Sequence, residues 1–435
     1  MLGTMDKKVI IFEGTVLSYA VHSNSSRSGI FVETYETFRQ FLKHNREVIV
    51  LCDVLNIFSM KKAIKEFFPN DSFEVMYYVR WKQSLGGKNK IDICARNLVK
   101  IIAFSCLSVP LAIINFLNGK RKRVLAADTF LSTAYIGPDW IQNNKTIEKF
   151  FCVQDAIPLL YPEYYPQMKD RNFWYNCFIR NMNEKDHYFA ISEATKKDFC
   201  RLFPQMKPEQ FTVAYLGKNE RYRYIETVDV NVMKKYGMNM DTKYFFSLCT
   251  VEPRKNLIRS VRSFIAFIKK NHIDDLYYVI GGGKWNTFYD SLVEEFQGDM
   301  FFSERIKMIG YVEDDDLPHL YNKAMCFVFT SQYEGFGLPA LEAMSCGCPV
   351  ITSTSSSLPE VVGDAGLMVE WDSDEEHIEA FHKMYYSEHL RSDLTRQSIE
   401  RSKQFSWENC AETILKKIDE ERNNNEYNKR IISVS

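Results

Sequence analysis

The 435-residue sequence has almost no net charge: 55 Lys and Arg stand against 56 Asp and Glu, a formal balance of -1. Nothing global therefore marks a nucleic-acid binder or a strongly cationic membrane binder. A secretory leader core is also missing. Lys7-Lys8 is followed by Val-Ile-Ile-Phe, and Glu13 ends the apolar run after four residues, too few for a signal peptide. That stretch reads as a first strand, and the chain as cytoplasmic. The 11 cysteines (52, 94, 106, 152, 177, 200, 249, 326, 346, 348, 410) are odd in number and scattered, so no disulfide framework is visible. Cys152, inside Phe150-Phe151-Cys152-Val153, reads as a reduced buried thiol. Cys346-Gly-Cys348 has no second ligand pair, and the 8 histidines show no zinc-type pairing; no metal site is expected. A short-period repeat or low-complexity tract is absent as well.

What is present is globular. The hydrophobic fraction of 46% and charged fraction of 26% suit packed domains. At roughly 150 residues per domain the length suggests two or three. Aromatic residues are abundant at 14%, with 32 Phe and 24 Tyr. Short apolar or β-branched runs recur at 9–12, 48–51, 73–79, 124–127, 150–153, 188–191 and 211–216. A second series falls at 244–248, 277–280, 306–309, 326–330, 350–352 and 367–369. Helix-like stretches such as 32–44 and 257–271 lie between them. Alternating strands and helices imply parallel sheets covered on both faces. Two series predict two doubly wound α/β domains, with a junction near 205–220, where Pro204, Pro208 and Gly217 cluster. The polar tail from Asn423 is expected to fray.

One apolar segment, 98–117, is long enough to approach a membrane span. Lys100 and Pro110 interrupt it, and Gly119-Lys-Arg-Lys-Arg123 follows. The favoured reading is a helix kinked at Pro110 that packs on a sheet. The alternative is an interfacial helix, which would give peripheral membrane contact through 98–123.

Two local clusters carry chemistry. After the run 326–330 comes Glu334-Gly335-Phe336-Gly337-Leu338-Pro339-Ala-Leu-Glu342. Pro339 suits the first position of a helix. Gly335 and Gly337 let backbone approach a ligand, and a helix start at a strand's carboxyl end can cradle a diphosphate. The carboxylates of Glu334 and Glu342 would then face opposite ends of a nucleotide sugar. The second cluster, Pro253-Arg254-Lys255-Asn256-Leu, follows the run 244–248 and opens the next helix. Adjacent cations there oppose the helix dipole unless an anion joins them; Arg offers a fork and Lys a point charge.

These residues resemble glycosyltransferase family 4. The match runs through Glu334-Gly-Phe-Gly-Leu-Pro-x-Leu-Glu342, Cys346-Gly347-Cys348-Pro349-Val350 and Ser357-Leu-Pro-Glu360-Val. Pro253–Leu257, Gly310-Tyr311-Val312 and Asp364-Ala-Gly366-Leu fall in the family's order, and the match is dense from about 240 to 372. The N-terminal half is similar to bacterial polysaccharide and mannosyltransferase members through Arg27-Ser-Gly29-Ile30, Gln154-Asp155-Ala-Ile-Pro and Ala190-Ile-Ser192-Glu. Phe405-Ser-Trp407 resembles the start of the family's last helix, which returns to the N-terminal domain.

The resemblance implies the GT-B architecture, two Rossmann-like domains facing a cleft. It places an acceptor-binding domain at 1–210, a nucleotide-sugar domain at 211–403 and a returning helix with polar tail at 404–435. It implies a retaining hexosyltransferase acting without metal or cofactor, with GDP-mannose favoured as donor and a glycan or lipid-linked oligosaccharide as acceptor, in cell-surface polysaccharide synthesis. Glu334 would hold the sugar hydroxyls and Glu342 the ribose. Arg254 and Lys255 would bind the diphosphate, aided by amides around Gly335, Phe336, Gly337 and Leu338. Tyr311 and Val312 would border the base, with Gly217 also on the donor side. The acceptor would enter near Arg27, Gly29 and the Gln154-Asp155 loop, and Gln154 and Asp155 would join Glu334, Arg254 and Lys255 as catalytic residues. Many members carry His-Asp where this chain has Gln154-Asp155, and Gln cannot titrate. Other readings are a UDP- or dTDP-sugar transferase, a GT-B sugar-nucleotide epimerase, and a non-catalytic nucleotide-sugar-binding scaffold. A dehydrogenase would want G-x-G-x-x-G after the first strand, where Glu13-Gly14-Thr15 stands.

Three further features read as structural. Gly281-Gly-Gly283-Lys284 lacks phosphate-loop spacing and is expected to form a tight turn. Asp314-Asp-Asp316 before Leu317-Pro is expected to cap a helix. The aromatics Tyr161, Tyr164, Tyr165, Phe173, Trp174 and Tyr175 follow the Gln154-Asp155 loop, and packing is favoured over sugar stacking.

Overall fold

A computed structural model describes residues 9–19, 21, 29–44, 46–53, 56–78, 127–134, 137–171, 173–248, 252–282 and 288–434. The chain divides into two units. The first comprises Met1–Ile191, Thr195–Ala214 and Trp407–Ser435; the second comprises Ser192–Ala194 and Tyr215–Ser406. The segment 98–123, Arg27 and residues 283–287 lie outside the described residues.

The first unit holds seven parallel strands in the order β3-β2-β1-β4-β5-β6-β7: β1 Ile10–Glu13, β2 Val48–Asp53, β3 Glu74–Tyr78, β4 Thr129–Ser132, β5 Glu148–Val153, β6 His187–Ala190 and β7 Phe211–Val213. β1 and β2 are buried at every residue. Helices cover such strands on both faces, which is why they read as continuous apolar runs rather than as alternation. Strand order reverses beside β1, where β1 pairs with both β2 and β4.

Two details go beyond the sequence reading. Glu13, which closes the apolar run, is itself the last residue of β1 and is 1% exposed. Hydroxyls of Thr15 (2.5 Å) and Tyr78 (3.0 Å) donate to its carboxylate, which offsets the cost of burying a polar group. Most of the strand anticipated at 124–127 lies outside the described residues, and β4 is Thr129–Ser132. There Thr-Phe-Leu-Ser is fully buried, and the threonine and serine disguise it as a turn.

The helix Trp407–Val434 belongs to this first unit. Phe41 and Phe38 of the helix Gly29–Lys43 are fully buried. Arg46 meets Asp419 at 2.6 Å, and the buried Arg422 meets Asp128 at 2.7 Å. Past Asn423 the helix runs on to Val434, and Asn425 donates to Glu148 at 2.5 Å.

The second unit holds six parallel strands in the order β10-β9-β8-β11-β12-β13: β8 Lys243–Leu248, β9 Leu276–Gly281, β10 Ile306–Gly310, β11 Cys326–Phe329, β12 Val350–Ser353 and β13 Gly366–Val369. The order reverses between β8 and β11, which lie side by side with Phe245 opposite Cys326. Ligands of open α/β sheets bind at such a reversal, beyond the strands' carboxyl ends. Much of the aromatic content is core. Tyr244, Phe246, Tyr321 and Phe327 fill one face of this sheet, and Phe245, Phe264, Tyr278 and Phe381 the other. Eight described cysteines are free thiols.

Candidate functional site

The reversal point of the second unit gathers the two motif clusters. Beyond β8, Pro253–Lys255 form a single 3-10 turn, and the helix begins only at Leu257. Asn256 between them is left-handed at φ 59. Its side chain ties the turn down, donating to the carbonyls of Thr330 (3.1 Å) and Trp371 (2.5 Å). Asn is one of the few L residues that visit this conformation, and here the two distant carbonyls hold it there. Arg254 and Lys255 therefore sit in the turn before the helix, not inside its first turn as the sequence suggested.

Both cations meet Glu334, which follows β11. Lys255 Nζ is 2.7 Å from one carboxylate oxygen and Arg254 Nη1 is 3.3 Å from the other. The side chains of Arg254, Glu334 and Lys255 are only 6%, 9% and 12% exposed. Arg254 also donates to the Tyr333 carbonyl and, at 3.0 Å, to Glu252. Lys255 Nζ lies 5.0 Å from the centre of the Phe329 ring. Burial alone would push Glu334 up; Lys255 and then Arg254 outweigh it and hold the carboxyl below its usual range. One carboxylate of the chain is thus shared by two cations.

Ser356 and Ser357 brace the Glu334 loop. The Glu334 amide donates to Ser356 Oγ (2.8 Å), while Ser357 Oγ donates to the carbonyls of Glu334 (3.0 Å) and Phe336 (2.8 Å). Gly337 then turns at φ +106 into the helix Leu338–Ser345. Pro339 is its second residue, one later than anticipated, and no side chain caps the start. Phe336 is buried with its ring 5.8 Å from Phe405 and 6.2 Å from Tyr215, so its ring is core. Gly335 is buried in the same loop.

Glu342 has different surroundings. Burial lifts its carboxyl to about 8, with Asp314 adding to the rise and Tyr222, Arg221 and Tyr321 opposing it. Arg221 is held by Asp315 at 3.0 Å and Asp314 at 3.4 Å. Asp316 occupies the expected position before the helix Leu317–Lys323 but makes no side-chain cap. It binds Lys235 (2.6 Å) and Tyr236 (2.8 Å) instead, because a lysine and a phenol outcompete the helix amides for it. At the end of β10, Tyr311 is 49% exposed and Val312 is buried. A Cβ on Gly281 would come within 2.9 Å of Val312, so β9 ends against this loop. Gly282 donates to the Gly310 carbonyl at 2.7 Å. Gly217 is buried in the segment after Tyr215.

In the first unit, Gly29 starts the helix Gly29–Lys43. Gln154 and Asp155 follow β5 directly. Gln154 Nε2 donates to Glu33 of that helix and to the Thr133 carbonyl (3.2 Å) just beyond β4. Asp155 Oδ1 accepts from the Ile157 amide at 2.9 Å, and its carbonyl accepts from Tyr175 at 2.8 Å. Tyr161 and Tyr164 stack on each other at 6.1 Å, while Trp174 meets Tyr175 edge-on at 5.5 Å. The sequence reading missed Glu33, Ser356 and Tyr222. A glutamate in an amphipathic helix gives no signal, although the serines lay beside the Ser357 motif.

The geometry coincides with a family match. Residues 230–401 fit the model described as glycosyl transferases group 1. The O-antigen chain mannosyltransferase B of Escherichia coli is 30% identical over 327 residues, covering 74% of this chain and 84% of the relative. The chain belongs to this glycosyltransferase family. Serotype-specific mannosyltransferase WbdA of Escherichia coli is 26% identical over 350 residues, 74% of this chain; the alignment spans only 42% of that longer relative. Among solved structures, Anabaena HepE in complex with UDP and glucose superposes with a TM-score of 0.63 at 13% identity, covering 95% of this chain and 100% of HepE. The glycosyltransferase thus has the GT-B type of fold, with two parallel Rossmann-like sheets. Among the described residues no helix is long and apolar enough to cross a membrane, and no cluster of His, Cys, Asp and Glu could hold a metal ion.

Proposed function

We propose that this glycosyltransferase moves mannose from GDP-mannose to a glycan or lipid-linked oligosaccharide, with retention at the anomeric carbon, in the assembly of a bacterial surface polysaccharide. The observation that carries the reading is the buried Arg254–Glu334–Lys255 cluster at the reversal of the second sheet. The mannosyltransferase names of the relatives support the donor.

In this reading Arg254 and Lys255 hold the diphosphate, and amides at Phe336–Leu338 approach it at the helix start. As the bond from the anomeric carbon to the phosphate oxygen breaks, negative charge grows on the departing GDP. Two fixed cations in a dry site stabilise that charge, the work a divalent ion would otherwise do. The acceptor hydroxyl forms the new bond on the same face and its proton passes to the leaving phosphate. Glu334, kept ionised by Lys255, accepts hydrogen bonds from the sugar hydroxyls; Glu342 takes those of the ribose. Tyr311 and Val312 border the base, and Gly217 lies on the donor side. Gly29, Gln154 and Asp155, with Arg27, serve the acceptor.

The test is transfer from GDP-mannose, UDP-glucose or dTDP-glucose to a mannose-terminated oligosaccharide in EDTA, with NMR of the new anomeric centre. An α-mannoside is expected. A β-linkage would overturn retention, activity with UDP-glucose alone would overturn the donor, and consumption of donor without acceptor into an isomeric sugar would favour an epimerase.

A further inference from the structure

The Gln154 amide is held from one side only. Its nitrogen donates to Glu33 and to the Thr133 carbonyl. Both partners are acceptors while Glu33 is ionised, so the amide cannot be reversed without setting oxygen against oxygen. Gln154 Oε1 accepts no hydrogen bond among the described residues, and Gln154 is half-buried where Glu33 is 2% exposed. Glu33 is itself locked: neighbouring Thr34 bonds Thr133 through their hydroxyls at 2.6 Å, which fixes the helix against the end of β4. Burial pushes Glu33 up to about 7, against the pull of Gln154 and Cys152, so it is charged above that pH.

We infer that Glu33 is a positioning residue: with the Thr133 carbonyl it occupies both amide hydrogens of Gln154 and leaves Oε1 as a fixed acceptor for a hydroxyl of a sugar substrate. Gln154 then selects a ligand group that donates, and it exchanges no proton. The inference rests on the transferase reading above and adds to it a residue, Glu33, with no contact of its own to substrate. It also explains how Gln can serve where an imidazole is frequent: orientation, not titration, is what the position supplies.

A double-mutant cycle tests this. Release of GDP from GDP-mannose in the presence of the mannose-terminated oligosaccharide, which takes the mannosyl group, is measured at pH 8.5, where Glu33 is ionised, with thermal midpoints recorded for every variant. Q154A and E33A are each expected to lower kcat/KM about tenfold, the scale of one hydrogen bond to a desolvated group. The double variant E33A/Q154A should lose no more than Q154A alone. E33Q keeps a side-chain oxygen for the amide and should recover most of the activity, which also covers failure of E33A to fold. Losses that multiply to about a hundredfold in the double variant overturn the inference, as does an E33A variant with a lowered midpoint but unchanged kcat/KM. A wild-type protein that releases no nucleotide from GDP-mannose, UDP-glucose or dTDP-glucose removes the transferase reading, and this inference with it. Release by the wild type with multiplying losses removes the inference alone.

Discussion

Lys255 and Glu334 are 79 residues apart in sequence and 2.7 Å apart in space. They meet because β8 and β11 are neighbours at the point where strand order reverses. Removing one member of a buried ion cluster leaves a desolvated charge behind and costs about 3–5 kcal/mol. E334Q and K255M are therefore each expected to lower the thermal midpoint and to cut sugar transfer at least a hundredfold, on the order of the loss of one charge-stabilising group. The double variant separates the two effects. Its midpoint should recover in part over E334Q, since the unpaired Lys255 is gone and Arg254 keeps Glu252 at 3.0 Å, while its activity stays lost. Near-normal turnover in both single variants would remove the pair from the donor site.

Nucleotide binding should stabilise the protein without metal. A ligand at a hundred times its Kd adds about 2.7 kcal/mol, enough to raise the midpoint by several degrees. GDP is expected to do so more than UDP or dTDP, and EDTA should leave each shift unchanged. Shifts that vanish in EDTA would mean that Arg254 and Lys255 do not neutralise the diphosphate alone. Differential scanning fluorimetry across the three nucleotides reads both points at once.

Much of the scaffold was legible because parallel, doubly covered strands show as unbroken apolar runs, as at Val48–Asp53 and Cys326–Phe329. Legibility failed where buried strands use polar residues. Thr129 and Ser132 lie in β4 and Glu13 in β1; Thr129 meets Arg422 and Glu13 meets Tyr78, partners that only tertiary structure provides. The Glu334–Glu342 motif could be read because glycine, proline and carboxylate spacing is local. Its pairing with Arg254 and Lys255 could not, since that follows from strand order. Glu33 was hidden for the same reason: its partner Gln154 is 121 residues away.

Gly337 is the backbone hinge between the Glu334 loop and the following helix. Its φ of +106 is one that L side chains rarely adopt, and a Cβ there would lie 2.8 Å from Leu358 Cδ2. Gly337→Ala is expected to cost about 1–3 kcal/mol through backbone strain. Because the same residue leads the helix start, GDP affinity should fall alongside the midpoint. A thermal melt and a titration calorimetry run on one preparation check it; unchanged affinity would show that the helix start does not touch the nucleotide.

Glu342 makes stability depend on pH in a direction opposite to that of a salt-bridged carboxylate. Its pKa rises from 4.5 to about 8, chiefly through burial and then through Asp314. The folded chain thus holds this proton more tightly than the unfolded chain does. The stabilisation is complete below pH 4.5 and is lost as pH climbs through 8. Asp186, raised to about 6, and Glu33, raised to about 7, tilt the same way, so the wild-type curve alone does not isolate Glu342. The difference between wild type and E342Q does. Gln carries no charge, so the variant's midpoint should gain on the wild type steadily from pH 5 to pH 9. Paired melts at half-unit intervals measure that gain. A flat difference would mean that Glu342 is ionised already in the free protein, poised for a ribose without any proton to release.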